Sequence, residues 1–176
     1  MTSTSREIPR PPARLVFTTP EHFVAFGFGA GLAPVAPGTF GTLVGIPFFL
    51  ALCWLPWPVY ALATAALFVA GCWVCGTSAR LLHVHDYPGF VFDEIVGFLI
   101  ACAPLVPALG LSTVPLPLGL LAAFVVFRVF DIWKPWPISW FDRTVEGGTG
   151  IMLDDALAGA AAGGVLYGLA TWMANG

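Results

Sequence analysis

The 176-residue chain is 58% hydrophobic and only 10% charged, with a mean hydropathy of +0.86; soluble globular domains carry about 25% charged residues, so water cannot wet most of this surface. Seven Lys and Arg against ten Asp and Glu leave a net charge of -3, which excludes the basic surface that a nucleic-acid partner requires. The composition predicts an all-α integral membrane protein, a helical bundle of about five short apolar segments forming one domain over 21–176 behind a flexible tail over 1–20.

In that tail Arg6, Arg10 and Arg14 lie among prolines, with no apolar run long enough for a secretory signal core; such cations suit contact with anionic lipid. Residues 27–42 then read Gly-Phe-Gly-Ala-Gly-Leu-Ala-Pro-Val-Ala-Pro-Gly-Thr-Phe-Gly-Thr. Glycines such as Gly38 and Gly41 leave backbone N–H groups approachable, and a helix N-terminus favours an anion. Thr39 and Thr42 either add hydroxyl donors to such a site or cap the helix that follows. No Lys follows the glycines, so this is not a P-loop.

Five apolar segments follow: Leu43 to Leu55, Val59 to Ala79, Ile95 to Leu111, Leu118 to Phe130 and Ala156 to Ala174. A perpendicular crossing takes about 20 residues, with roughly 17 as a lower limit. The second and fifth segments qualify outright. The third is interrupted by Pro104 and Pro107, and the first and fourth are short, which suits half-embedded or bundle-buried helices. Pro56-Trp57-Pro58 and Pro115-Leu116-Pro117 read as reversals. Cys53, Cys72, Cys75 and Cys102 all fall in apolar stretches and read as small buried hydrophobes; the Cys72/Cys75 pair has no second pair to complete a zinc site. His83 and His85, beside Asp86, read as a solvated loop.

Charge is confined to three sections of the chain: before the first segment, between the second and third, and from Arg128 to Asp155. If every segment crosses, all three sections emerge on one side, and the positive-inside rule makes that side cytoplasmic. Two of these sections carry adjacent carboxylates. Asp93 and Glu94 open the third segment, where acids gain from the helix macrodipole; because successive helical residues point about 100° apart, at least one should turn into the bundle. Asp154 and Asp155 precede the fifth segment, and either could instead cap its helix. Arg128, Asp131 and Lys134 are spaced three apart, on one helical face, before Pro135 and Pro137 stop the helix. Asp142 and Arg143 recur after that turn.

Carboxylates suit a hard divalent cation such as Mg2+, which keeps waters for a phosphate to replace; Arg and Lys suit the phosphate itself. Asp93, Glu94, Asp131, Asp154 and Asp155 converging at the membrane plane point to phosphoryl hydrolysis on a lipid. Covalent cysteine chemistry is not indicated, since no cysteine is followed by Arg at the sixth position, and no Asp-x-Asp-Gly-Thr motif occurs. The competing reading is a small ion-coupled transporter, which requires charges distributed through the depth of the bundle.

Four runs, Ala36 to Thr42, Asp93 to Gly97, Phe127 to Ile138 and Gly147 to Gly159, resemble the bacterial phosphatidylglycerophosphatase A family over about residues 23 to 170. The resemblance implies a multi-pass protein of the bacterial inner (cytoplasmic) membrane, its active site facing the cytoplasm. It also implies Mg2+-dependent removal of the terminal phosphate of the phospholipid phosphatidylglycerophosphate. The family's acidic and basic motif positions fall on Asp93, Glu94, Arg128, Asp131, Lys134, Asp142, Arg143, Asp154 and Asp155. On this reading Asp154, Asp155 and Asp93 or Glu94 hold the metal, while Lys134, Arg128 or Arg143 balances phosphoryl charge. Asp131 positions or deprotonates water; direct attack by a carboxylate is the alternative. Two positions depart from the pattern: Asp86 stands one place before the usual Asp-Pro acid, and Thr42 replaces a Ser.

Overall fold

The computed structural model describes residues 10–106 and 114–175, with no strand among the described residues. Prolines set most helix starts. Helix α1 spans Ala13–Thr18, and the extended Thr19, as expected before a proline, leads into α2 at Pro20–Ala25. A turn at Gly27–Leu32 connects to α3, Pro37–Leu52. Pro56 and Pro115, expected in reversals, stand immediately before α4, Trp57–Leu82, and α6, Leu116–Trp133, where a missing N–H costs nothing. Between them lie α5, Phe92–Ala101, and a single turn at Ala103–Leu105. Short α7, Ile138–Thr144, precedes α8, Gly147–Asn175.

Three helices are long and apolar enough to cross a membrane, Trp57–Leu82, Leu116–Trp133 and Gly147–Met173, and α3 is a shorter apolar helix. This corrects several expectations. The fourth segment is not short, because the helix continues through Arg128 and Asp131 to Trp133. The third segment gives a helix of only ten residues, and its end from Pro107 lies outside the described residues, as do Arg6 and Glu7. Residues 13–18, expected in the tail, are helical, with Val16 fully buried and Arg10 donating to the Pro34 carbonyl at 2.8 Å.

At the centre sits α5, packed against α3, α4, α6 and α8, with Ile95, Val96, Phe98, Leu99 and Ala101 fully buried. A helix of about 15 Å cannot span hydrocarbon, and its end is tolerated at that depth because protein surrounds it. Tyr60 donates its hydroxyl to the Leu99 carbonyl at 2.6 Å, satisfying one of the last acceptors of α5.

Glycines fix how close the helices come. A Cβ at Gly97 of α5 would lie 2.7 Å from the Asp155 carbonyl oxygen, and one at Gly159 of α8 would lie 2.2 Å from the Gly97 carbonyl oxygen. The crossing therefore has backbone against backbone. Asp93 and Asp155 each lie four residues before their crossing glycine, one helical turn up their respective helices. Further up, a Cβ at Gly148 would lie 1.8 Å from the Cys72 carbonyl oxygen of α4. This close contact makes the Gly-rich stretch from 147 the opening of α8, so the last helix begins at Gly147 rather than at Ala156.

Candidate active site

The N-terminal ends of α3, α5 and α8 meet the C-terminal ends of α4 and α6. One ligand oxygen from each of Asp93, Glu94 and Asp155 lies within 4.8 Å of the others. Asp155 is 3% exposed, and its Oδ2, like Oε2 of Glu94, is buried with no hydrogen-bond partner. Asp93 Oδ1 accepts the Glu94 backbone N–H at 3.0 Å, so one acid both turns the helix start and joins the cluster. Burial, reinforced by the Glu94 charge, pushes Asp93 well above the ordinary carboxylate range. Glu94 is pushed up to about 8, first by burial and then by the charges of Asp155 and Asp131.

Two cations flank this cluster, each held by acids. Arg128 donates to Asp131 one turn along α6 and stands 3.8 Å from Glu94, with its Nε buried and unpaired. Lys134 ends α6 in the left-handed conformation, φ 43°, costly for a residue other than glycine. From there its ammonium bonds Asp142 of α7 at 2.6 Å and Asp154 of α8. Burial alone would lower Lys134; the Asp154 charge and the hydrogen bonds to Asp142 and Asp154 outweigh it and raise the group above its ordinary range.

The geometry sorts the sequence candidates. Asp154 and Asp155 sit seven and eight residues inside α8, which removes the capping alternative for both. They also divide: Asp155 joins Asp93 and Glu94, whereas Asp154 turns to Lys134 and leaves Oδ1 buried and unpaired. Asp154, expected among the metal ligands, thus stands outside the group of three close carboxylates and in contact with the lysine. Gly38 borders the site, since a Cβ there would lie 2.1 Å from Glu94 Oε1 and 3.0 Å from Arg128 Nη1. Gly41 instead allows Val91 to approach, its Cβ falling 2.6 Å from Val91 Cβ. Thr42 is fully buried and donates its hydroxyl to the Gly38 carbonyl at 2.9 Å, so it neither caps α3 nor offers a donor to an anion. Thr39 is half-buried and does not cap α3 either. Arg143 is exposed on α7, outside the Arg128 and Lys134 ion pairs. His83, His85 and Asp86 are exposed in the loop after α4. Buried His22, unassigned from sequence, shares a 2.7 Å hydrogen bond with Ser78 of α4. Gly97 and Gly159 also went unrecognised, although an acid four residues before a glycine in both motifs is the readable signal.

Three carboxylates this close, two carrying buried unpaired oxygens, repel one another unless protonated or bridged by a cation. An all-oxygen set suits a hard divalent ion. The Arg128 guanidinium, 3.8 Å from Glu94, and the Lys134 ammonium, bonded to the Asp154 that precedes Asp155, suit an anion such as a phosphate.

The family model for phosphatidylglycerophosphatase A matches residues 23–170. The chain is 43% identical to phosphatidylglycerophosphatase A of Escherichia coli over 155 residues, 88% of this chain and 86% of the relative. It is 40% identical to phosphatidylglycerophosphatase A of Haemophilus influenzae over 164 residues, 93% and 96% of the two chains. A Bacteroides thetaiotaomicron protein, provisionally named a phosphatidylinositol-3-phosphatase, is 35% identical over 156 residues, 85% of this chain and 92% of its own. No solved structure matches the chain.

Proposed function

The chain belongs to the phosphatidylglycerophosphatase A family, a family of phosphoric monoester hydrolases, and we propose that it hydrolyses phosphatidylglycerophosphate to phosphatidylglycerol and phosphate at the cytoplasmic face of a bacterial inner membrane. The observation that carries this reading is the buried Asp93, Glu94 and Asp155 cluster, with unpaired oxygens, set beside Arg128 and Lys134 at the charged end of three membrane-length helices. The transporter alternative needs ionisable groups through the depth of the bundle. In α4, α6 and α8 the charges are Arg80, Arg128, Asp131, Asp154 and Asp155, all toward one end.

Asp93, Glu94 and Asp155 would hold Mg2+, which when bound supplies Lewis-acid polarisation of the phosphoryl oxygens. The chain's own residues do the rest. Lys134, fixed between Asp142 and Asp154, holds an ammonium against phosphoryl oxygens without having to reorganise during the reaction. Arg128, fixed by Asp131, presents a planar guanidinium for the same charge. Asp131 accepts a proton from water as its oxygen attacks phosphorus; the P–O bond to glycerol breaks, and the released alkoxide takes up a proton.

The test is phosphate release by the purified, reconstituted protein from phosphatidylglycerophosphate, phosphatidic acid and phosphatidylinositol 3-phosphate, each with Mg2+ and with EDTA. Release from phosphatidylglycerophosphate should exceed that from the other two and require Mg2+. Preference for the inositol lipid would instead align the chain with its Bacteroides relative, and turnover undiminished in EDTA would remove the metal from the account.

A further inference from the structure

An apolar groove of about 460 Å³ opens in the side of the bundle between α4, α5 and α8. It is lined by Trp57, Ala61, Ala65 and Phe68 of α4, by Ile100 near the end of α5 and by Ala156 of α8. The α4 residues recur at three- and four-residue spacing and so share one helix face, where the two alanines leave a trough that larger side chains would fill. Tyr60 and Thr64 also border it, but their hydroxyls donate to the Leu99 and Tyr60 carbonyls at 2.6 and 2.9 Å. Neither hydroxyl has its proton free to donate to a polar ligand. From Trp57 to Phe68 the groove follows α4 for about 16 Å, so its occupant is long and apolar.

One end of the groove adjoins the acid cluster. Ala156 directly follows Asp155, and Phe68 lies one turn before Gly71, whose close neighbours are Met152 and Phe92, the residue before Asp93. The other end runs toward Trp57, at the uncharged end of the bundle. A second apolar groove, of about 220 Å³ between α6 and α8, is lined by Leu118, Ala122 and Leu166 and lies toward that uncharged end. We propose that the groove along α4 holds an acyl chain of the phospholipid whose phosphate lies at the carboxylate and cation site, which makes Ala61 and Ala65 determinants of chain-length preference. This rests on the lipid phosphatase reading above.

Ala65→Phe and Ala61→Phe fill the trough without touching the site. For dioleoyl phosphatidylglycerophosphate, KM should rise about tenfold, the equivalent of roughly two buried methylenes, with kcat within about twofold. Hydrolysis of the dihexanoyl lipid should be unchanged, and Ala122→Phe in the second groove should leave both substrates unaffected. Equal losses on both chain lengths, or no change on either, overturn the proposal. A readout independent of turnover is photolabelling with a phosphatidylglycerophosphate carrying a diazirine in its acyl chain. Label should fall on residues 57–69, saturate against unlabelled lipid and diminish in Ala65→Phe. Non-saturable label spread over every lipid-facing helix overturns the groove, as does efficient Ala65→Cys disulfide dimerisation, which would put a second copy of the chain there. Saturable label with no phosphate release from any phospholipid keeps the groove and removes the phosphatase reading.

Discussion

At the scale of single residues the site separates into groups with different expected responses to substitution. Asp155→Asn removes charge from the three-carboxylate cluster; activity should fall roughly 100-fold or more, on the scale of several kcal/mol of electrostatic stabilisation, with partial recovery at high Mg2+. Lys134→Met should cost a similar factor that no Mg2+ concentration restores, because on the proposed reading the ammonium held by Asp142 and Asp154 balances phosphoryl charge rather than holding metal. Asp154→Asn should follow Lys134→Met, since Asp154 acts through the lysine; a Mg2+-rescued Asp154→Asn would move that acid back among the ligands. The pH response has a definite sign. Glu94 is pushed from its ordinary 4.5 up to about 8, chiefly by burial. Without a cation the folded protein therefore binds more protons than the unfolded chain between about 4.5 and 8, and its stability falls as pH rises through that window. Mg2+ displaces the proton, so the rise in Tm that Mg2+ produces should grow up to about pH 8 and then level off. Melting curves in EDTA and in Mg2+ across that range check this, and a Tm rise independent of pH would contradict it.

At the scale of elements the site exists because α5 and α8 cross at Gly97 and Gly159. Gly97→Ala places a Cβ 2.7 Å from a carbonyl oxygen and 2.8 Å from the Phe127 ring. We expect a loss of about 1–3 kcal/mol from such overpacking, together with weaker Mg2+ binding as Asp93 and Asp155 separate. Gly164→Ala on α8 has nothing within 4 Å of its new Cβ and should be neutral or stabilising by up to about 1 kcal/mol. Thermal melting of the two variants checks the pair; equal effects would mean that the crossing does not depend on close backbone approach. Helix existence was legible in the sequence because apolar runs and prolines mark it directly. Helix extent was not. Hydropathy stops at Phe130 and restarts at Ala156 because Asp131, Asp154 and Asp155 break the run, whereas the backbone continues helical through them, since those acids face partners inside the bundle rather than water. The helix also takes in the Gly-rich stretch from Gly147, whose Gly148 packs closely against Cys72 of α4.

Across the whole molecule, α8 relates site depth to bilayer thickness. The stretch from Asp155 to Asn175 spans about 30 Å at 1.5 Å per residue, matching a hydrocarbon core of about 30 Å; a crossing by that stretch would put the acids at its edge. Exposed Trp133, Trp136 and Trp140 mark the charged end and Trp54 and Trp172 the other, as interfacial belts do. In a variant with all four cysteines replaced, Ser139→Cys should resist an impermeant thiol reagent in intact cells while Asn175→Cys is labelled; the opposite pattern would invert the orientation. That background should remain active, since Cys53 and Cys102 are buried in an apolar cluster, Cys75 is buried in a second one, on the side of Asp93 and Glu94, and Cys72 is half-buried. The converging residues were readable in the sequence as a set, through their segregation along the chain. Their partition was not, because Asp154 and Asp155 are neighbours whose roles depend on which adjoining helix each side chain faces. The measurement that bears most directly on the central claim is phosphate release from phosphatidylglycerophosphate over a Mg2+ series, for the wild type and for folded Asp155→Asn. The account predicts Mg2+-dependent turnover in the wild type and, in the variant, a loss of roughly 100-fold or more with its Mg2+ requirement shifted upward. Near-wild-type rates in the variant at every Mg2+ concentration would contradict it.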